Sequence, residues 1–394
     1  MLVSHTFRAF SQQPRILDST FFNNKRDFID VMISLKIQDS SGSALTRSKR
    51  MGNNVRISVM PSVGGVPHSS GLAFVTAIGA TFFLGSPQTT NLSNIYFTPY
   101  TNFKGKYVIP FRSYIWTKDN KWNLVGDYRY LIFPDYNYGL GSQTKQADQQ
   151  PLDYNHFRFH QNILHKVISY WVMGGGVHFD TYGAIDETQA DSNKRYMENY
   201  QGEVLTRTRS NGLAFTTAFD SRLNSLNAQK GVYAGLTYWY TPTWMKSTSS
   251  WHSIFAEFKT YHSFNPKKQN LLAFWTYYWD VFAGKAPYLD LPSTFADPTY
   301  RSGRGYYPNR FRGTAMWYGE VEYRFDITKD GLWGGTAFAN VQTLRASSKF
   351  GRLAPAAGLG LRLKFNKYNN TNLTFDVGVG SESWNYFFSL GEFF

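Results

Sequence analysis

The sequence keeps returning to one pattern: large apolar side chains at every second position, with polar or charged ones between them. Trp122, Leu124, Tyr128, Tyr130 and Ile132 share one parity, and Asn123, Asp127 and Arg129 the other. Val232, Ala234, Leu236, Tyr238 and Tyr240 repeat it. So do Leu359, Leu361, Leu363 and Phe365 against Arg362 and Lys364, and Leu373, Phe375, Val377 and Val379 against Thr374 and Asp376. A period of two puts successive side chains on opposite faces of an extended strand. Sixteen such segments are expected, near 55–64, 71–84, 92–102, 106–117, 121–133, 152–162, 167–180, 211–222, 231–241, 251–264, 271–283, 314–326, 332–344, 356–366, 371–380 and 384–394. Short connections follow the even strands, and the long ones (134–151, 181–210 and 284–313) follow odd strands. Short turns on one rim and long loops on the other are the signature of an outer-membrane barrel, and place both termini on the short-turn, periplasmic side.

Composition removes other classes. There is no cysteine, so disulfide scaffolds, Cys-ligated zinc, iron–sulfur clusters and thiol catalysis are excluded. No run approaches the ~18 apolar residues of a membrane helix, and mean hydropathy is −0.39. A barrel escapes a hydropathy window because lipid-facing and lumen-facing residues cancel, and 11 Trp, 27 Tyr and 33 Phe fit its lipid face and interface girdles. A propeller would show a repeat of roughly 40–50 residues, and a sandwich a polar outer face; neither is present. The net charge of +14 admits nucleic acid or anionic lipid headgroups as partners. The basic residues are scattered among membrane-type aromatics, which favours lipid. The chain therefore reads as all-β: a sixteen-stranded antiparallel transmembrane β-barrel over 55–394, preceded by a short helical or irregular periplasmic segment over 1–54.

Within that segment Phe28, Ile29, Met32, Ile33 and Leu35 recur at near-helical spacing, with Asp27 placed to favour a helix N-terminus. The expectation is a short helix docking near the barrel mouth, against a leader without a role; Ser40 to Arg50 reads as a basic link. No secretory signal is present in residues 1–10, so a targeting segment is expected to be absent already.

The run Arg304-Gly305-Tyr306-Tyr307-Pro308-Asn309-Arg310-Phe311-Arg312-Gly313, followed by Glu320-Val321-Glu322-Tyr323-Arg324-Phe325, resembles the bacterial surface antigen superfamily, the BamA/TamA-type barrels. That family carries an Arg-Gly-Phe/Tyr tip in its sixth outer loop and then a strand ending in Glu-Tyr-Arg. Met60 to Gly64, Phe133 to Gly141, Asp220 to Asn224 closing at Gly231, Gly358 to Arg362 and Ser389 to Phe394 resemble further family elements in the same order, with Leu223 in place of an Asp. The resemblance covers roughly 55–394. It implies a sixteen-stranded barrel that inserts or secretes other proteins, often by opening a seam between the first and last strands. Family members usually carry periplasmic POTRA modules of ~75 residues each. The 54 residues here cannot hold one, so a POTRA-less member working with periplasmic or lipoprotein partners is expected. In the family the sixth-loop Arg folds into the lumen and bonds acidic wall residues. Here Arg304 is expected to pair with Glu322 or Asp376, with Glu320 as the other lumen-parity acid. The alternative is a solvated loop arginine beside Arg301, Arg310 and Arg312. Where the thirteenth strand of the family commonly carries Asp, this sequence has Asn340.

Pro61 and Gly64 in the first strand and Gly391 near the end of the last weaken both sides of the closing seam. The readings are a lateral gate bending at Gly391, or ordinary rim fraying. Phe394 shares parity with Trp384, Tyr386, Phe388 and Leu390, the aromatic ending that outer-membrane assembly machinery recognises; Glu392 interrupts that apolar face. No hydrolase elbow, zinc-protease motif or phosphate loop is found. His156, Arg158, His160, His178 and Asp180 are expected to share a lumen wall, as an acid/base site or as ordinary lumen polarity. Asp127 with Arg129, and Glu257 with Lys259, read as lumen charge pairs. No catalytic or metal residue and no cofactor is assigned. The expected function is protein insertion or export at a Gram-negative outer membrane, with lipids, lipopolysaccharide and protein substrates as partners. A passive channel or structural barrel is the alternative.

Overall fold

A computed structural model describes residues 25–28, 30, 31, 34, 56–65, 72–101, 105–222, 224–265, 270–367 and 370–394; the side chains of 56–65, 72–77, 133 and 134 fall outside that description. The expected link Ser40–Arg50, and Ile29, Met32, Ile33 and Leu35 of the expected helix, lie outside the described residues, as does Leu223.

The strands are β1 (Arg56–Gly65), β2 (Leu72–Phe82), β3 (Ser93–Phe97, resuming at Tyr100–Thr101), β4 (Tyr107–Trp116), β5 (Trp122–Asn137), β6 (Gln150–Ile168), β7 (Trp171–Asp186), β8 (Thr208–Asp220), β9 (Gly231–Thr241), β10 (Trp251–Ser263), β11 (Asn270–Gly284), β12 (Ala315–Asp326), β13 (Trp333–Arg345), β14 (Ala354–Asn366), β15 (Thr371–Gly380) and β16 (Ser383–Leu390). The two pieces of β3 pair with the same neighbours, β2 and β4, and so count as one interrupted strand. Every consecutive pair forms an antiparallel ladder, from β1–β2 to β15–β16. The sixteen-stranded antiparallel barrel read from the alternation is therefore the fold, nearly closed. Among the described residues no ladder joins β1 to β16.

The alternation sorts as a membrane barrel requires. Leu359, Leu361, Phe375, Val377, Val379 and Trp384 are exposed on the outer face, while Glu320, Glu322, Arg324, Asn340, Arg362 and Asp376 are buried inside. A surface this apolar is stable against lipid and not against water.

Several boundaries differ from expectation. The β6–β7 turn is shifted and tighter: β6 runs on to Ile168 rather than 162, β7 begins at Trp171 rather than 167 and extends to Asp186, and Tyr170, at φ 66°, lies in the turn between them. The last strand ends at Leu390 rather than Phe394. Gly391 adopts φ 94°, a conformation that breaks the strand and suits glycine, and residues 392–394 turn into the lumen. Phe394 thus leaves the lipid-facing parity and packs on Trp275 and Tyr261, with ring centroids 5.4 and 6.3 Å apart.

At the short-turn rim a helical segment begins at Asp27. Asp27 and Asp30 cap reciprocally: the Asp30 N–H donates to Asp27 Oδ1 (2.8 Å) and the Asp27 N–H to Asp30 Oδ2 (3.2 Å). The segment is tied to two barrel turns. Lys367 donates its N–H to Asp27 and its ammonium to Asp30. The Arg26 N–H reaches the Asp330 carbonyl, and Phe28 stacks on Phe365.

Candidate functional site

The long connection between β11 and β12 folds back into the barrel. Its path depends on glycine. On the lumen face of β14 and β15, Gly358, Gly360, Gly378 and Gly380 occupy alternate positions where neighbouring strands carry side chains. A Cβ on Gly378 would lie 2.7 Å from the Gly305 nitrogen, and one on Gly380 2.5 Å from the Tyr306 ring. Gly305 itself has φ 100°. Only a wall cleared of side chains lets the Arg304-Gly305-Tyr306 backbone lie against it. The fully buried Tyr306 then donates its hydroxyl to the Pro355 carbonyl (2.7 Å).

Arg304 is fully buried and bonds all three acids singled out for it from the sequence: Asp376 at 2.8 Å, and Glu320 and Glu322 in close contact. Its guanidinium lies 3.7 Å from the Phe338 ring centroid and 4.4 Å from that of Phe393. The planar fork suits this task, since it presents donors in several directions while its faces pack on aromatics. The group continues beyond the residues singled out from sequence. Arg324 bonds Glu322 (2.5 Å), Arg362 bonds Asp376 (2.5 Å) and Glu392 (2.8 Å), and Asn372 donates to Glu392 (2.6 Å). The Arg324 guanidinium also donates to the Phe394 carbonyl (2.8 Å). Loop, walls on β12, β14 and β15, and tail are thereby one ion-pair network. Glu392, read from sequence as an interruption of an apolar face, is a lumen partner of Arg362, buried to 1% exposure. The lumen parity of Arg324 and Arg362 was the available signal for this extension.

Asn340 explains its own departure from the family pattern. Its Nδ2 donates to the Arg304 carbonyl at 2.8 Å. A carboxylate cannot donate there, and would join four carboxylates already facing three guanidiniums. Asn340→Asp is expected to destabilise the barrel by about 1–3 kcal/mol, the cost of a buried group set against an unpaired acceptor. Urea unfolding of the variant in detergent checks this; an unchanged midpoint would contradict the assignment.

The other loop arginines are also held. Arg310 donates to the Thr144 carbonyl (2.7 Å) and lies over Tyr138; Arg312 donates to the Tyr288 carbonyl (3.1 Å) and to Asn309 (2.8 Å). The Gly141 N–H donates to the Arg312 carbonyl (2.7 Å), and Asp135 accepts from Asn309 (2.5 Å). The 133–141 element that resembles the family thus anchors the same loop. Asp220 and Arg222 pair in a two-pronged contact at 2.9 and 3.0 Å.

The histidine group lies on one wall. Asp180 accepts from His156 Nε2 (2.7 Å), Arg158 Nε (2.7 Å) and His160 Nε2 (2.5 Å), whereas His178 bonds Thr241. Three donors thus converge on one carboxylate. Among the described residues no set of three His, Asp or Glu side chains has metal-holding geometry. Arg129 pairs with Asp127 at 2.6 Å, and Lys259 with Glu257 at 2.9 Å.

At the seam, Pro61 and Gly64 sit within the β1–β2 ladder, opposite Thr76 and Ala73. On the other edge, Leu390 reaches the space over Gly79 of β2, where a Cβ would be 3.3 Å from its Cδ2. The Gly391 N–H bonds the Asn372 carbonyl, and the Glu392 N–H the Leu226 carbonyl in the β8–β9 turn.

No family model and no curated protein matches the sequence. Solved structures do. The chain is similar to BamA from Haemophilus ducreyi lacking POTRA domains 1–3, with TM-score 0.54 at 12% identity over 94% of this chain and 81% of that one. It is similar also to CdiB from Acinetobacter baumannii, with TM-score 0.52 at 11% identity over 86% of this chain and 65% of that one, just under two-thirds of CdiB. Identities this low speak to architecture alone. With its loop arginine seated on the β12 and β15 acids, the chain has the fold of the BamA/TamA-type barrels.

Proposed function

We propose that this barrel works in the outer membrane of a Gram-negative bacterium, inserting or exporting other proteins beside periplasmic or lipoprotein partner subunits. The short-turn rim and both termini would face the periplasm. The observation that carries this reading is the seam: among the described residues every consecutive pair of strands is laddered, and no ladder joins β1 to β16. An unpaired strand edge in lipid is costly, because nothing there satisfies its N–H and C=O groups. Such an edge is suited to accept a strand from another chain. A passive channel needs an open lumen, whereas here the β11–β12 loop lies buried within it. The test is depletion of the protein followed by comparison of the outer-membrane and surface proteomes. The expected result is selective loss of a set of envelope proteins; an unchanged inventory would count against insertion and export and favour the passive barrel.

A further inference from the structure

The β11–β12 loop is held on both sides of the seam. On the last-strand side Arg304 is seated on β12 and β15, and the loop also reaches β16. There the Phe295 and Phe387 rings stack with centroids 5.1 Å apart, and Asn385 Nδ2 donates to the Tyr306 carbonyl (3.3 Å). On the first-strand side two wall arginines grip the loop again. Arg112 of β4 donates to the Thr299 carbonyl (2.5 Å), and Arg129 of β5 to the Pro298 carbonyl (3.0 Å). The Arg129 guanidinium also lies 3.6 Å from the Tyr300 ring centroid.

The stretch between the grips is short and stiff. Asp297, fully buried, accepts from the N–H groups of Thr299 (3.0 Å), Arg301 (3.0 Å) and Ser302 (2.8 Å). From Tyr300 to Arg304 the backbone can span at most ~14 Å. Along the wall, β15 and β4 are separated by β16, β1, β2 and β3, a path of ~24 Å at the usual strand spacing. The loop is therefore a chord across the sector that holds the unladdered edges.

The two grips differ in strength. Arg304 is fully buried against three carboxylates. At β4 and β5 the acceptors are neutral carbonyls, and Arg129 already holds both oxygens of Asp127 at 2.6 Å. Removing the first grip strands buried charge, whereas removing the second costs neutral acceptors and a ring contact.

We propose that residues 298–306 form an internal brace that holds the seam shut, with Arg112 and Arg129 on residues 298–300 as its releasable end. The width of the seam is then set by the loop rather than by the wall. The proposal rests on the unladdered seam and not on insertion or export, so its failure leaves the proteome comparison untouched.

Pulsed EPR distances across the seam test it. The chain has no cysteine, so spin labels at Tyr107→Cys of β4 and Trp384→Cys of β16, both exposed on the outer face, are unique. The otherwise unaltered barrel in detergent is expected to give one narrow distance. Arg112→Met combined with Tyr300→Asn, which tolerates the φ of 54° at that position, is expected to lengthen it by one strand spacing, ~5 Å, and to broaden it. Arg304→Met is expected to act likewise from the other end. Arg222→Met removes a lumen arginine committed to Asp220 and Tyr233 and should leave the distance unchanged. Heat-modified gel migration reports that each variant is folded. An unchanged distance in the folded double variant would overturn the proposal, as would an equal shift in Arg222→Met.

Discussion

Arg304→Met is expected to lower the unfolding free energy of the barrel by about 3–5 kcal/mol, the cost of breaking a buried ion pair from one side. The side chain that replaces it has similar length and packs on Phe338 and Phe393 as well. What changes is that Glu320, Glu322 and Asp376 lose their shared cation in a site with no exposed surface. Arg324 and Arg362 still neutralise Glu322 and Asp376 in part, so Glu320, whose other side-chain bond is to the Tyr318 hydroxyl, is the most exposed to the loss. Adding Glu320→Gln to Arg304→Met should therefore recover part of the stability, a non-additive pair by the logic of a double-mutant cycle. Arg304→Lys should restore less than the charge alone suggests, since one ammonium cannot serve carboxylates on β12 and β15 together. Urea midpoints in detergent, with trypsin cleavage in the β11–β12 loop as a second readout, check the set. A shift below about 1 kcal/mol for Arg304→Met would place the pair among those with little net value and remove it as the anchor of the loop.

The strands were legible because a barrel wall between lipid and a polar lumen enforces a strict period of two, which short-range sequence records directly. The loop arginine was legible through a resemblance, not through spacing; nothing in the local pattern of residues 304–306 says which wall receives them. The wall carried a signal of its own in Gly358, Gly360, Gly378 and Gly380, alternating with Leu and Val. Its meaning appears only once the backbone of Gly305 is seen against Gly378. Glu392 and Phe394 were misplaced because parity was extended through Gly391. One residue at positive φ ends the alternation, and beyond it parity predicts nothing. Arg310 and Arg312 looked like solvated loop cations because their acceptors, the Thr144 and Tyr288 carbonyls, are backbone groups that no side-chain pattern reveals. The histidines illustrate the reverse case. Sequence parity placed His156, Arg158, His160, His178 and Asp180 on one face, but not that three of them bond the one Asp180 carboxylate while His178 turns to Thr241.

A disulfide across the seam is expected to abolish function while leaving the fold intact. The chain has no cysteine, so a single engineered pair, one residue within 56–65 and one within 383–390, forms an unambiguous bridge once scanned for geometry that permits closure. The two edges differ in how they resist pairing. On β1, Pro61 offers no donor and Gly64 with Gly65 offers no packing. On β16, Gly391 withdraws the last three residues from the wall, and Glu392 holds them inside through Arg362 and Asn372. Running β16 on past Leu390 along the wall would require breaking those buried contacts, so the ion-pair network that seats the loop also holds the tail away from the seam. If work at the membrane requires β1 and β16 to part, oxidised pairs should behave like depletion in the proteome comparison, and reductant should restore activity. A matched bridge between Val377 and Tyr386, which face each other within the β15–β16 ladder, crosses no seam and should be harmless. Full activity with the seam pair oxidised would remove lateral opening, and with it the principal support for an insertion or export role.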